Sequence, residues 1–215
     1  MAAPVICVCI GTYNQAAFIE TCIRSVLDQK VEADVRVLVG DDASTDATSE
    51  IIHRLVLEYG DRPMHIRREH NLGAFANMRD VVLRADGDFI ARVDGDDYWL
   101  PGKLARQLAY MRQYGDCSAV YTNAITVDQS GNPLGNFNDV GDSVFNIAQM
   151  LRHGNFLNNS SVLFRGAGTA AWRHVEVQID YQAHLWHARY GLLGHIGQPL
   201  VAYRVGTQNS LMRKS

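Results

Sequence analysis

Hydrophobic positions in the first half of the chain follow two patterns, short continuous apolar runs and stretches with helical spacing. A continuous apolar run, typical of a buried strand, occupies residues 5–10, and mostly apolar runs at 35–39 and 89–93 also predict strands. Residues 64–68 predict a weaker strand. Between these strands, apolar residues recur three or four positions apart and predict three helices, the second capped by Ser44 or Thr45. Strand and helix alternate three times, which predicts an α/β fold with a mostly parallel sheet and helices on both faces.

The second half of the chain has a less regular pattern. Helical spacing predicts helices at residues 101–114 and 180–190. Further strands are expected at residues 119–128, 160–165 and 200–204. Residues 134–159 are rich in Gly and Asn, so apart from a short helix near 147–152 we expect a loop region that faces the substrate. No repeat or linker divides the sequence, which predicts a single domain over residues 1–215.

Polar clusters follow three of the predicted strands. They are residues 11–14 (GTYN), 41–46 (DDASTD) and 94–97 (DGDD). Ligands of parallel sheets bind at the carboxyl ends of the strands, so we expect these clusters to converge on one edge.

The aspartates of the third cluster, Asp94, Asp96 and Asp97, directly follow a buried run. Three carboxylates in such a place repel one another unless a cation lies between them. Mg²⁺ or Mn²⁺ fits, because hard cations prefer carboxylate and phosphate oxygens. An acidic turn before the helix that begins near Pro101 fits the same residues.

The cluster at residues 41–46 also has two interpretations. Its carboxylates could accept hydrogen bonds from a nucleobase or a ribose, or the segment could be an Asx turn with a helix cap.

Composition narrows the possible partners and compartments. The formal net charge of −3 gives no electrostatic reason to expect nucleic acid. The four cysteines suit neither a disulfide framework nor a zinc site, which favours buried free thiols in a reducing compartment. The amino terminus lacks the basic region of a signal peptide, and no apolar run approaches the roughly 18 residues of a membrane helix. We therefore expect a soluble, cytoplasmic protein without a transmembrane segment.

Taken together, the motifs resemble those of family 2 glycosyltransferases. The residues that carry the resemblance are GTYN at 11–14, DDASTD at 41–46, NLG at 71–73, VDGDDYW at 93–99, and Pro101, Lys103, Leu104 and Gln107. The match is nearly continuous over the first 115 residues or so and is weaker beyond. It implies a GT-A type, Rossmann-like fold and inverting transfer of a sugar from a nucleotide donor.

The resemblance assigns the donor site to the first half, about residues 1–115, and the acceptor and catalytic base to about residues 116–215. Expected ligands of the nucleotide base and ribose are Thr12, Tyr13, Asn14, Asp41, Asp42 and Asp94. Asp94 and Asp96 would also hold Mn²⁺ or Mg²⁺ on the diphosphate. Such a cation stabilises the negative charge that develops on the leaving group.

In similar proteins an acidic pair opens a late helix and supplies the base that deprotonates the acceptor hydroxyl. Here Ile179 replaces the first acid, which leaves Asp180 as the expected base, with a plain helix N-cap as the alternative. Asn158, Asn159 and Ser160 could line the acceptor side. His184 and His187, three positions apart on the same predicted helix, could instead bind zinc, although no further ligands are apparent.

Near the carboxyl end, the segment at residues 202–210 resembles an element in which a histidine adds a metal ligand. This chain has Gly206 at the histidine position, which puts the third metal contact in doubt. Arg204 of the same segment could contact the diphosphate.

The resemblance implies a hexosyltransferase that uses a nucleotide sugar, a UDP-sugar being favoured, in surface polysaccharide or glycan synthesis. The acceptor would be a glycan, a lipid-linked molecule or a small molecule, and peripheral membrane contact fits this role. Competing hypotheses are an inactive GT-A-like scaffold and a sugar nucleotidyltransferase. A nucleotidyltransferase is expected to have a glycine-rich, basic loop near the first strand, whereas the segment GTYNQAAF has one glycine and no Lys or Arg. An NAD-dependent oxidoreductase is disfavoured, because no GxGxxG follows the first strand.

Overall fold

The computed structural model describes residues 2–60, 62–174 and 179–206. In these residues, ten strands form one sheet: β1 (Val5–Thr12), β2 (Asp34–Asp41), β3 (Pro63–Arg67), β4 (Phe89–Asp94), β5 (Tyr98–Trp99), β6 (Cys117–Val127), β7 (Pro133–Asn136), β8 (Ser143–Phe145), β9 (Leu163–Arg165) and β10 (Leu192–Arg204). The helices are α1 (Ile19–Leu27), α2 (Thr48–Tyr59), α3 (Ala74–Arg84), α4 (Lys103–Gln113), α5 (Ile147–His153) and α6 (Asp180–Arg189). Two 3₁₀ segments span Asn159–Ser161 and Gly166–His174.

The sheet is mixed, and its longer pairings are parallel. The strand order is β3-β2-β1-β4-β9-β6-β10-β5, with β7 on β6 and β8 on β10. Strands β1 to β4 are mutually parallel, as are β6 and β10, whereas the short strands β5, β7, β8 and β9 pair antiparallel. In the central pairings Gly11 lies opposite both Gly40 and Asp94, so the polar clusters after β1, β2 and β4 leave the sheet at one edge.

Apolar side chains fill both faces of the sheet. Alternation along β1 directs Ile6, Val8 and Ile10 to a core shared with α1, α2 and α4. Cys7 and Cys9 point to the opposite core, which is shared with α3, α5 and α6. The predicted α/β fold with helices on both faces is confirmed. All four cysteines are free and buried, as predicted.

The predicted cap of α2 is wrong. The helix begins at Thr48, and Ser44 Oγ instead accepts a hydrogen bond from Asn14 N at 3.0 Å. Asp46 Oδ1 accepts from Thr48 N at 3.0 Å and satisfies a donor of the first turn in its place. Ser44 therefore joins two loops rather than starting a helix.

Two predicted strands have different bounds in the structure. Residues 159–161 form a 3₁₀ turn before β9, because Ser161 Oγ donates to Asn158 O at 2.7 Å and closes the backbone locally. The last strand begins at Leu192 rather than at residue 200, since the pairing of β10 with β6 shifts register around Pro199 and hides the periodicity. The predicted loop at 134–159 also contains β7 and β8.

Within the described ranges, no helix is long and apolar enough to cross a membrane.

Candidate functional site

A cavity of about 440 Å³ opens where the strands β1 and β4 end. Its walls come from both halves of the chain, including the loops after β1 and β4, the 3₁₀ turn at Asn159–Ser161 and the start of α6. Seven of the nine residues predicted for the site line it: Thr12, Tyr13, Asp42, Asp94, Asp96, Asp180 and Arg204. Asn14 and Asp41 lie behind its wall, among the loop contacts described below.

Backbone hydrogen bonds tie the loops after β1, β2 and β4 to one another. Gly95 N donates to Gly11 O at 2.9 Å, and Asp42 N donates to Thr12 O at 3.0 Å. A Cβ atom at Gly95 would lie 2.5 Å from Gln15 Oε1 and 2.9 Å from Thr12 Cβ, so a glycine is required there. The glycine of the DGDD segment allows this close approach.

Asp42 is buried and holds the turn that precedes α3. Its Oδ1 accepts a hydrogen bond from Leu72 N at 2.8 Å, and its Oδ2 accepts one from Gly73 N at 2.9 Å. Such charge-assisted bonds are stronger than those between neutral groups. The motifs at 41–46 and 71–73 therefore form one structural unit beside the cavity.

Asp41 faces away from the cavity and supports the same loops. Its Oδ1 accepts from Ser44 N at 2.9 Å, and His65 Nε2 lies 3.5 Å from its Oδ2. Burial alone would raise the pKa of Asp41, but the interactions with His65 and Ser44 outweigh it and lower the pKa to about 2. Asn14, in the left-handed conformation with φ 52°, accepts from Thr45 N at 2.8 Å.

The three aspartates of the DGDD segment differ in their surroundings. Asp94 and Asp96 line the cavity, whereas Asp97 is only 1% exposed. Asp97 accepts hydrogen bonds from Ser160 Oγ and, at 2.8 Å, from Arg204 N. Burial, together with the charges of Asp96 and Asp94, raises the pKa of Asp97 well above its usual range. Asp97 thus anchors the loop that presents the other two.

Arg204 crosses from the last strand to the same loop. Its Nε donates to Asp96 O at 2.9 Å, and its Nη1 donates to the carbonyl oxygens of Asp128 and Gln129 at 2.7 and 2.8 Å. Its guanidinium also lies 4.5 Å from the centre of the Phe18 ring. These contacts of Arg204 hold the loop that contains Asp96. Gly206 follows with φ +77°, and the rest of that element, 207–210, lies outside the described residues.

Asp180 is the first residue of α6, and the cap position belongs to Ile179, so Asp180 is not the N-cap of the helix. Burial raises the pKa of Asp180 to about 6, the negative charge of Asp94 adds to the effect, and the positive charge of Arg92 opposes it. Such a value suits a group that takes up a proton near neutral pH. Residues 175–178, just before this helix, lie outside the described part.

The donor set fits a divalent cation that shares its ligands with a substrate. Among the described residues no group of three or more His, Cys, Asp or Glu side chains could hold a metal alone. Asp94 and Asp96 nevertheless both line the cavity, and Mg²⁺ is commonly bound by one or two carboxylates plus substrate phosphates.

The alternative zinc site on α6 has no support. His184 Nδ1 lies 3.0 Å from the Tyr121 hydroxyl, and the His187 ring packs 4.4 Å from that of Phe164, centre to centre. Burial lowers the pKa of both histidines. They belong to the core beneath the cavity.

Arg92 is the site residue that sequence reasoning missed. It is 3% exposed and lines the cavity, and its Nε has no hydrogen-bond partner within the described part of the chain. Its guanidinium lies 5.1 Å from the centre of the Trp172 ring. The signal was available, because a charged residue inside a strand buried on both faces, two positions before Asp94, shares the face of that aspartate.

The sequence profile described as Glycosyl transferase family 2 matches residues 7–204 of the chain. The chain belongs to this family. The family assignment made from the motifs is thereby confirmed, and the match extends through α6 and β10.

The individual relatives are longer than this chain, which matches only part of each of them. An uncharacterized protein of Mycobacterium tuberculosis is 29% identical over 195 residues, which are 90% of this chain and 56% of that protein. TuaG of Bacillus subtilis is 33% identical over 135 residues, 62% of this chain and 52% of TuaG. The chain thus spans about half the length of these relatives.

Solved structures show the same fold. TarS of S. aureus, residues 1–349 in complex with UDP-GlcNAc, superposes with a TM-score of 0.75 at 16% identity. The superposition covers 95% of this chain and 59% of that one. A GT-A-like architecture is therefore common to both.

Proposed function

We propose that the chain is an inverting glycosyltransferase that transfers a hexose from a UDP-sugar to an acceptor hydroxyl. The observation that carries the proposal is that the same cavity is lined by four carboxylates: Asp42, Asp94, Asp96 and Asp180. The family match supports the reaction class, and the UDP-GlcNAc complex of TarS supports a UDP-sugar as donor.

The nucleotide would lie against the β1 side of the cavity. Thr12, Tyr13 and Asp42 line this side, and Asp42 fixes the adjacent turn through Leu72 and Gly73. Asn14 and Asp41 would contribute indirectly by holding the loops in place. The ribose and the diphosphate would then extend toward Asp94.

Asp94 and Asp96 would hold Mn²⁺ or Mg²⁺ against the diphosphate. The cation would neutralise charge on the departing nucleoside diphosphate. Arg204 keeps the loop of these aspartates in position through the carbonyl of Asp96. With Gly206 replacing the usual histidine, metal binding would depend mainly on these two carboxylates and on the donor itself.

Asp180 would act as the general base. Its carboxylate would accept the proton of the acceptor hydroxyl while that oxygen forms a bond to the anomeric carbon, on the face opposite to the breaking bond to the diphosphate. The raised pKa of Asp180 supports this role, because the group is a stronger base than an exposed carboxylate.

Binding and turnover test the proposal separately. UDP and UDP-GlcNAc with Mn²⁺ should raise the melting temperature of the protein. Asp180→Asn should retain this stabilisation while transfer, or hydrolysis of the donor, falls at least about a hundredfold. Asp116→Asn changes an exposed aspartate just before β6 and serves as the matched control. Normal turnover by the Asp180 variant would refute the base assignment.

Asp96→Ala tests the metal. It should abolish the part of the stabilisation that requires Mn²⁺ and leave any metal-independent part. Undiminished metal-dependent binding would exclude Asp96 as a ligand. Binding without turnover in the wild-type chain would favour the scaffold hypothesis, which the changes at Ile179 and Gly206 keep open.

The acceptor would be a glycan, a lipid-linked molecule or a small molecule of surface polysaccharide synthesis, at the cytoplasmic side and with peripheral membrane contact. The name of TuaG, which refers to teichuronic acid biosynthesis, supports this setting. Incubating the protein with radiolabelled UDP-sugars and membrane extracts would identify the acceptor by the labelled product.

A further inference from the structure

Three cavity-lining side chains carry buried polar atoms that have no hydrogen-bond partner among the residues the structure describes: Arg92 Nε, Asn158 Oδ1 and Asn159 Oδ1. Buried polar groups in proteins are nearly always paired, and each unpaired one costs free energy. Arg92 lies on β4, Asn159 begins the 3₁₀ turn at Asn159–Ser161, and Asn158 is the cap residue just before that turn. Their concentration at one cavity indicates a ligand that completes them.

The geometry fixes which of these atoms donate and which accept. A guanidinium can only donate. Burial raises the pKa of Asp94, and the charge of Arg92 and hydrogen bonds from the Ser160 and Asn159 side chains oppose that rise. The amide nitrogen of Asn159 is its only side-chain donor, so its oxygen is left as an acceptor. The subsite therefore offers one strong donor beside amide oxygens, with the carboxylates of Asp94 and Asp180 in the same cavity.

We propose that Arg92, Asn158 and Asn159 form the subsite of the transferred sugar and select a neutral, hydroxyl-bearing ring over a uronate. This inference rests on the proposed function, which requires the sugar to lie between the diphosphate at Asp94 and the base Asp180. A hydroxyl both donates and accepts, so a polyhydroxylated ring satisfies Arg92 and the two amide oxygens together. Small rotations of the side chains, common on ligand binding, bring these atoms to the ring.

A carboxylate on the ring fits this subsite poorly. Where a carboxylate replaces the hydroxymethyl group of the ring, it can pair with Arg92 but can no longer donate a hydrogen bond to an amide oxygen of Asn158 or Asn159. It also adds a negative charge beside Asp94 and Asp180 in a largely buried site. A site that hydrogen-bonds hydroxyl groups discriminates strongly when those partners are removed.

The contribution of the sugar can be measured as the ratio of the dissociation constants of UDP and UDP-sugar. The full chain with Mn²⁺ is titrated calorimetrically with UDP, UDP-glucose, UDP-galactose, UDP-N-acetylglucosamine and UDP-glucuronate. At least one neutral sugar should bind tighter than UDP, and UDP-glucuronate should bind no tighter than UDP. Arg92→Met should lower the ratio for the preferred sugar by about tenfold or more while the affinity for UDP changes less than about twofold.

Three further variants distinguish a role in the sugar subsite from a general loss of stability. Asn158→Ala removes an unpaired acceptor with little risk to folding and should also lower the ratio. Arg165→Met is the matched control, because that guanidinium bonds the carbonyl oxygens of Cys117 and Met111 and does not line the cavity. It should leave the ratio unchanged. Arg92→Lys keeps the charge without the planar fork and should restore the ratio only partly.

The possible failures are distinguishable. If UDP does not bind to the wild-type chain, the proposed function fails. If UDP binds but Arg92→Met and Asn158→Ala leave the ratio unchanged, the proposed function stands and the sugar subsite is refuted. Tighter binding of UDP-glucuronate than of every neutral donor would overturn the preference for a neutral ring.

Discussion

Lys103, the first residue of α4, is completely buried beneath the cavity. Within the described residues, its Nζ contacts Gln107 Oε1 at 2.8 Å and lies 3.8 Å from the centre of the Trp99 ring. Both partners support the 3₁₀ turn of the site, since Trp99 Nε1 donates to Ser160 O at 2.9 Å and Gln107 Nε2 donates to Ser161 O at 2.7 Å. The protonation state of Lys103 therefore affects two side chains that hold the 3₁₀ turn at Asn159–Ser161 in place.

Burial lowers the pKa of Lys103 well below its usual value. In the unfolded chain the amine keeps an ordinary pKa of about 10.4, so at mildly alkaline pH the unfolded state binds a proton that the folded state does not. The free energy of unfolding then rises with pH by about 1.4 kcal/mol per pH unit from this group alone. Over the roughly 1.5 pH units between about pH 8 and about pH 9.5, this slope adds up to at most about 2 kcal/mol, the limit for an amine that is neutral when folded and charged when unfolded.

Lys103→Met removes this contribution. Urea unfolding of the wild type and the variant at the two pH values should show the wild type gaining stability relative to the variant on going to the higher pH, by at most about 2 kcal/mol. Lys30→Met, at an exposed position, removes the same charge and should show no such relative change. Equal pH dependence in the wild type and the Lys103 variant would refute the reasoning, because it would mean that the buried amine stays charged.

Three other predictions concern the loops around the cavity. The rate of transfer should increase with pH through a value near 6 as Asp180 ionises, and a flat pH–rate profile would contradict its role as base. Gly95→Ala should weaken UDP binding, whereas Gly115→Ala, at a position with open space around it, should not. Asp41→Asn should cost about 2 kcal/mol of stability at neutral pH, because the pKa of about 2 lies below the unfolded value of 3.8. That difference should disappear as the pH falls from about 4 toward 2, and urea unfolding at both ends of this range would detect it.

The first half of the fold was predictable because its strands are buried on both faces and its helices are amphipathic. The apolar pattern is unbroken over residues 5–10 of β1, and one arginine interrupts it in each of β2 (Arg36) and β4 (Arg92). The second half depends on contacts that the local sequence does not reveal. In β10 the pairing with β6 shifts register around Pro199, so the strand is not regular there. Before β9 the Ser161–Asn158 hydrogen bond belongs to a 3₁₀ turn and not to a strand.

The location of the site could be predicted from the sequence, but the contacts of its individual side chains could not. Motifs at strand ends located Asp42, Asp94 and Asp96 at the cavity, because parallel strands present their carboxyl ends together. Asp97, unlike Asp94 and Asp96, is buried and accepts a hydrogen bond from the backbone N–H of Arg204, which lies 107 residues away along the chain. No local pattern contains such a contact, and the same holds for the stacking of Arg92 on Trp172.

The Asp97–Arg204 contact has a consequence for the synthesis of the protein on the ribosome. The two-residue strand β5 pairs with β10, and Asp97 receives a backbone hydrogen bond from the last residue of that strand. A nascent chain that ends before β10 contains every aspartate of the site but lacks the strand that sets their loop. Nucleotide affinity should therefore arise only after β10 has been synthesised, and ribosome-stalled chains of increasing length should acquire it in one step once that strand has emerged.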